Sequence, residues 1–259
     1  LIKNKYDIVN IFFADYGENI SIKLASQFSD FYLNLYITYS IEATRHRFDA
    51  FKRYGLVDKA DSIISDCEYV AMGADQFFKR PSVVIPIGSD PELFKPNAIA
   101  RNQIRRRFRI MDDEVVLLNV SSLEPRKGIW RVIDALPEIK KRYSKIRYLI
   151  LGDGVGRKDL EKKVKLLGLD GCVIFIGTTT ILNDFYSASD IFIMLADHEC
   201  NSIACHEAML CQLPVIVPNK GGLPEHVDDT CGRLVNISCQ ESIVSSVVNL
   251  ASNKKLRDR

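Results

Sequence analysis

Residues 190–227 read DIFIMLADHECNSIACHEAMLCQLPVIVPNKGGLPEHV, and the fold can be read outward from them. Ile191 to Leu195 is an apolar run with the length of a buried strand. An acidic turn follows, Asp197, His198 and Glu199. Asn201 and Ser202 both carry side chains that cap helices, and the residues behind them predict a helix bearing a second carboxylate, Glu207. Pro214 to Val217 reads as another buried strand, and the glycine pair Gly221 and Gly222 closes the stretch.

A helix that starts just past a strand's carboxyl end presents backbone N–H groups and the positive end of its dipole. Such an end takes an anion, phosphate above all. Glu199 stands in the turn before the helix and Glu207 about two turns into it, and helical side chains lean back toward the N-terminus. Each carboxylate accepts hydrogen bonds from a pair of hydroxyls. Phosphate plus polyol describes a nucleotide sugar.

The chain has 259 residues, 47% of them hydrophobic, which suffices for one large or two modest domains. Lys and Arg number 35 against 33 Asp and Glu, a balance that argues against nucleic acid as a partner. The 7 cysteines form no Cys-x-x-Cys pair, so reduced thiols and a cytoplasmic location are expected. No apolar run reaches the ~18 residues of a membrane span, and no signal peptide is recognisable. The chain begins Leu1-Ile2-Lys3 and stops at Arg259 within a helical pattern, as expected of a piece of a longer protein or of a shortened one.

Strand and helix patterns alternate along the chain, which predicts mostly parallel sheets covered by helices. Strands are expected at Asp7 to Phe13, Leu33 to Thr38, Ser62 to Ser65 and Val83 to Pro86. Between them lie helices at Ile20 to Phe28, at residues 44–60 (basic, ending near Gly55) and at Glu68 to Phe78. The Pro-, Gly- and Asp-rich run Pro86 to Pro96 reads as a linker, dividing a first domain, 1–90, from a second, 91–259. There a basic helix, Ile99 to Phe108, precedes strand Val115 to Val120 and the turn Ser121 to Gly128. Ile129, Val132, Ile133, Leu136 and Ile139 share one face of the next helix. Strand Arg147 to Leu151 ends in Gly152-Asp153-Gly154, a helix from Lys158 is closed by Gly168, and strand Val173 to Ile176 precedes a short helix. A last helix is expected from Glu241 to Ala251. The second half is thus a doubly wound sheet, whose ligands sit at the strands' carboxyl ends, where all these loops lie.

The spacing Glu199, seven residues, Glu207-Ala208-Met209, then Leu213-Pro214-Val215 and Gly221 to Glu225, resembles the donor-site signature of the family 4 (group 1) glycosyltransferases. These are retaining enzymes of the GT-B fold. The linker Pro86 to Pro96 resembles their interdomain hinge. The likeness covers about residues 5–255 and is strongest from Val120 to Val235. It implies two Rossmann-like domains, the first incomplete because the family's first strands and glycine-rich acceptor loop have no counterpart here. It implies a nucleoside diphosphate sugar as donor and co-substrate, no further cofactor, and a glycan, lipid or small-molecule acceptor.

By the same resemblance Glu199 faces the transferred sugar near its anomeric centre and Glu207 holds the ribose hydroxyls. Lys127 contacts the donor diphosphate, and the helix start at Asn201, Ser202 and Ile203 receives its phosphate. The family's arginine five residues before the lysine is Ser122 here; Arg126 is the neighbouring substitute, with a solvated turn as its plain alternative. Gly152 and Gly154 line the donor crevice, and the loop ending in Thr178 lies near the nucleobase; each also reads as an ordinary turn. The chain has no Asp-x-Asp pair to hold a divalent ion on a diphosphate, so no metal is expected. His198, Cys200, Cys205 and His206 lack the pair spacing of a zinc site. The basic segments at Arg45-His46-Arg47 and Arg101 to Arg109 read as solvated helix faces, with peripheral membrane contact as the alternative. Beside a glycosyltransferase stand a non-catalytic nucleotide-sugar-binding or partner-binding remnant and a GT-B epimerase, the last requiring catalytic groups from a complete first domain.

Overall fold

The computed structural model describes residues 8–12, 32–37 and 55–257. The helix expected over Ile20 to Phe28 and the basic segment Arg45-His46-Arg47 lie outside the described residues. The rest falls into two compact units. One holds the described residues up to Ile87 together with Glu199–Asn201; the other holds Gly88–His198 and the residues from Ser202 onward.

The first unit is a parallel sheet in the order β1 (Ile8–Phe12), β2 (Tyr32–Ile37), β3 (Ser62–Ser65), β4 (Val83–Val84). Strand alternation turns Leu33, Leu35 and Ile37 of β2 into the core, where Ile63 joins them. Gly55 adopts a left-handed φ of 64°, and helix α1 (Leu56–Lys59) begins only after it. Residues 44–54 of the basic helix expected there lie outside the described residues, and a left-handed residue at Gly55 separates α1 from whatever precedes it. Helix α2 (Glu68–Phe78) packs Val70, Ala74 and Phe78 onto the sheet. Cys67 and Cys200 are buried in the same cluster, and all seven cysteines are free thiols.

The second unit is built on six parallel strands in the order β10-β9-β8-β5-β6-β7. They are β5 (Val115–Val120), β6 (Ile146–Leu151), β7 (Val173–Gly177), β8 (Ile191–Ile193), β9 (Val215–Pro218) and β10 (Gly232–Val235). The edge strand β10 has no counterpart in the sequence reading, since only Leu234 and Val235 of its four residues are apolar. Its place is fixed by Gly232, which lies so close to the Val215 carbonyl that a Cβ would fall 2.3 Å from it.

Helices cover both faces. One layer is α4 (Ile129–Arg142), α5 (Arg157–Leu166) and α8 (Gln240–Ser252), with a short α9 (Lys254–Arg257) after it. The opposite layer is α3 (Ala98–Arg107), α6 (Leu182–Ala188) and α7 (Ile203–Leu210). Successive residues of β5 feed the two layers in turn, Val115 and Leu117 to one and Val116 and Leu118 to the other. All five apolar residues expected on one face of α4 are buried there.

The basic helix α3 departs from the solvated face expected of it. Arg106, Arg107 and Arg109 are exposed, but Arg105 is buried and Arg101 turns inward. Both guanidinium groups meet Asp190, at 2.7 Å from Arg101 and 3.3 Å from Arg105, and Arg105 also donates to the carbonyls of Met111, Glu114 and Ala188. The second oxygen of Asp190 accepts from the Val116 amide at 2.8 Å. A buried charge is tolerable only when paired and fully hydrogen-bonded, and this cluster meets that condition at the foot of β8.

Candidate functional site

Strand β5 stands where the winding of the sheet reverses: β6 and β7 lie to one side of it, β8, β9 and β10 to the other. The helix after β5 goes to one face and the helix after β8 to the other. Doubly wound sheets bind their ligands at such a switch point, in a crevice outside the carboxyl ends of the strands, here β5 and β8. The ladder between these strands covers only Leu117 with Ile191 and Leu118 with Phe192. Beyond it the buried Asn119 carboxamide takes over, its Nδ2 donating to the Ile193 carbonyl at 3.0 Å while its Oδ1 accepts from Ser121 Oγ at 2.8 Å.

The loop after β5 carries Lys127 in a 3-10 turn, Pro125–Lys127. The turn ends at Gly128, whose φ is 68° and whose missing Cβ would lie 1.8 Å from the Leu195 carbonyl. Only glycine lets the turn lie this close to the end of β8. Lys127 is half-buried and Arg126 exposed. Arg126 Nε pairs with Glu124 at 2.7 Å. That guanidinium, and then the Ser122 hydroxyl, hold the Glu124 carboxyl below its ordinary value. Ser122, standing where an arginine was expected, thus serves Glu124.

The loop after β8 leads into α7. Ser202, not Asn201, is the cap: its Oγ accepts from the Cys205 amide at 3.3 Å and donates to Met194 Sδ at 3.6 Å. Ile203 is exposed at the start of the helix. Asn201 belongs to the first unit, where its Nδ2 reaches the carbonyls of Asp66 and Ile87 at 3.4 and 3.3 Å. Glu199 is half-buried and groups with that unit as well. Glu207 is buried, and its Oε2 accepts from the Tyr186 phenol at 2.7 Å. Burial raises the Glu207 carboxyl above its ordinary value, and the phenol draws it partly back.

The next two loops adjoin the one after β5. Gly152, with φ 125°, donates to the Gly177 carbonyl at 2.8 Å, and a Cβ on it would lie 1.9 Å from the Ser121 carbonyl. The Leu123 amide donates to the Asp153 carbonyl at 3.0 Å, and the Gly156 amide to the Leu123 carbonyl at 2.8 Å. Gly154 is packed less tightly, its missing Cβ 2.9 Å from the Leu123 nitrogen. Thr178, just beyond β7, is exposed.

The second unit therefore brings Lys127, Gly152, Gly154 and the Ser202 cap to one end of its sheet. Glu199 and Asn201 group with the first unit, and Arg126 is turned to Glu124. Sequence reasoning missed Tyr186, which lies 21 positions from Glu207 with no local pattern joining them, and Asn119, whose sign was an amide inside an apolar strand. His206 meets His226 edge to face at 5.1 Å. Among the described residues no group of three or more His, Cys, Asp or Glu is placed to hold a metal ion.

Comparison with known proteins gives a consistent result. A family model described as glycosyl transferases group 1 matches residues 100–259. The chain is 31% identical over 176 residues to a GDP-mannose-dependent alpha-(1-6)-phosphatidylinositol monomannoside mannosyltransferase of Mycobacterium tuberculosis, a match covering 64% of this chain and 46% of that protein. It is 27% identical over 183 residues to an alpha-monoglucosyldiacylglycerol synthase of Streptococcus pneumoniae, covering 68% and 41%. The chain thus spans less than half the length of these curated relatives. Among solved structures, Anabaena Alr3699/HepE in complex with UDP superposes with a TM-score of 0.84 at 20% identity, covering 98% of this chain and 71% of that one. The C-terminal domain of LpcC, a group 1 family protein of Francisella tularensis, superposes with a TM-score of 0.58 at 29% identity, covering 66% and 91%.

Proposed function

The chain belongs to the group 1 glycosyltransferases, with an α/β fold of GT-B type, and on that premise we propose that it transfers a sugar from a nucleoside diphosphate donor to an acceptor with retention of anomeric configuration. The observation that carries this reading is the pairing, at the sheet's switch point, of the Lys127 turn after β5 with the Ser202-capped start of α7 after β8. An ammonium and a helix N-terminus at one crevice suit a diphosphate.

In this reading Lys127 and the first turn of α7 stabilise the charge that builds on the departing diphosphate. No divalent ion is needed for it. Glu207 holds the ribose hydroxyls: Tyr186 occupies Oε2, and Oε1 is the acceptor offered to ribose. The walls beside it are the loops of Gly152, Gly154 and Thr178. Glu199 orients the sugar and supports positive charge at the anomeric carbon. The bond from that carbon to the diphosphate oxygen breaks, and the acceptor oxygen bonds on the same face and gives its proton to the leaving group. Two relatives are named for lipids and another, an N-acetyl-alpha-D-glucosaminyl L-malate synthase of Bacillus anthracis, for a small molecule. Among the glycan, lipid and small-molecule classes, a lipid acceptor met at a membrane surface from the cytoplasm is the first case to test. Among the described residues no helix is long and apolar enough to cross a membrane.

Calorimetry with UDP and GDP tests the site. Lys127→Ala and Glu207→Ala should each weaken nucleotide binding by about tenfold, the scale of one charge-assisted hydrogen bond. Unchanged affinity in both variants overturns the assignment. Intact nucleotide binding with neither transfer nor donor hydrolysis across a panel of UDP- and GDP-sugars favours the non-catalytic remnant instead.

A further inference from the structure

Arg131 lies one turn beyond Lys127, on α4, and its guanidinium reaches back to the end of β8. Nη1 donates to the Leu195 carbonyl at 3.1 Å and Nη2 to Asp197 Oδ1 at 2.6 Å. The Trp130 ring backs the guanidinium at 4.3 Å. Only 13% of the Arg131 side chain is exposed, so this pair is better sheltered than an ordinary surface ion pair. Two further contacts run between the same segments. The Asp197 amide donates to the Arg126 carbonyl at 2.8 Å, and Gly128 is pressed against the Leu195 carbonyl. Together they join the turn that bears Lys127 to the end of β8, beyond the last rung of the β5–β8 ladder.

We propose that Arg131 and Asp197 are positioning residues for Lys127, a clasp across the mouth of the crevice that holds its turn where the ammonium meets the diphosphate. The inference rests on the reading of the crevice as a diphosphate site. The clasp has two physical effects. It fixes the 3-10 turn through two donors of one planar group, a geometry that a lysine ammonium on a flexible stem does not reproduce. It also neutralises Asp197, whose charge would otherwise repel an anion entering beside it.

The test is a double-mutant cycle on the 259-residue chain, read by calorimetry with UDP and with GDP. Arg131→Lys should weaken binding by about five- to tenfold, and Lys127→Ala by about tenfold. The double variant should bind no more weakly than Lys127→Ala, because a residue acting through Lys127 has nothing left to act on once the ammonium is gone. A merely structural role gives losses that multiply. Multiplying losses, or wild-type affinity in Arg131→Lys, overturns the proposal. Asp197→Asn keeps the volume of the clasp and gives the same comparison should Arg131→Lys fail to fold. Wild-type affinity in Lys127→Ala alone overturns the clasp. Wild-type affinity in both Lys127→Ala and Glu207→Ala, or the absence of binding by the wild type, overturns the diphosphate reading itself, and the clasp falls with it.

Discussion

The Tyr186 phenol donates a 2.7 Å hydrogen bond to Glu207 Oε2, joining the helices that follow β7 and β8 inside one face of the sheet. Burial, and then the charge of Glu207, push the phenol's pKa up, so Tyr186 remains a donor throughout the usual pH range. Glu207 itself is raised above its ordinary 4.5 by burial. The folded state thus holds this proton more tightly than the unfolded chain does, and stability falls as pH rises from about 4.5 through the raised value. Glu207→Gln should remove that decline, visible as a difference between the two proteins in urea unfolding across pH. Parallel pH profiles contradict it. Tyr186→Phe should cost about 1.5–3 kcal/mol at neutral pH, as for a hydrogen bond to a charged group, and extend the decline to higher pH.

The Asp190 cluster predicts a large stability effect far from the crevice. Arg105→Met leaves Asp190 with the half-exposed Arg101 and the Val116 amide, and strips donors from the carbonyls of Met111, Glu114 and Ala188. Breaking a buried pair by removing one partner costs about 3–5 kcal/mol. Urea unfolding should show that loss for Arg105→Met, and less than about 1 kcal/mol for the exposed Arg106→Met.

Gly128 and Gly168 have similar positive φ values, 68° and 64°, and opposite surroundings. A Cβ at 128 meets the Leu195 carbonyl at 1.8 Å, whereas one at 168 meets nothing within 4 Å. Gly168→Ala should cost about 1 kcal/mol, the strain of a left-handed alanine. Gly128→Ala must also displace backbone at the crevice, so it should cost several times more and abolish nucleotide binding. Thermal melts and calorimetry on the two variants check this; equal losses would show that the contact at Leu195 does not matter.

Ser202 separates capping from phosphate binding. Ser202→Ala should lower stability by about 1 kcal/mol and Ser202→Gly by only a few tenths. If the first turn of α7 receives a phosphate, the alanine variant should also lose UDP or GDP affinity. A stability loss alone would assign Ser202 a purely structural role.

Much of the second unit was legible in the chain because local signals agreed. The apolar run Val115 to Val120 is strand β5, and the stripe Ile129 to Ile139 is buried on α4. Gly168 closes α5 in a left-handed conformation, its amide bonded to the Lys165 carbonyl. The misses have physical reasons. The pattern RNQIRRRFR gives no sign of which arginine turns inward, since that depends on Asp190, 85 residues on from Arg105. Asn201 and Ser202 are equally good caps on paper, and the choice was made by the carbonyls of Asp66 and Ile87 that hold the asparagine.

The sequence by itself determined most strands and helices of the second unit, and that the loops rich in charge and glycine follow the strands. Those properties are local: periodicity, capping side chains and glycine's freedom act within a few residues. Only the tertiary structure decided that β5 is the strand at which the winding reverses, and hence that the loops of Lys127 and Ser202 follow the two strands that flank the switch point. It also decided which side chains join the elements around that point, Tyr186 on Glu207 and Arg131 on Asp197. Strand order and cross-loop hydrogen bonds arise from packing between segments far apart in the chain, and no local pattern encodes them.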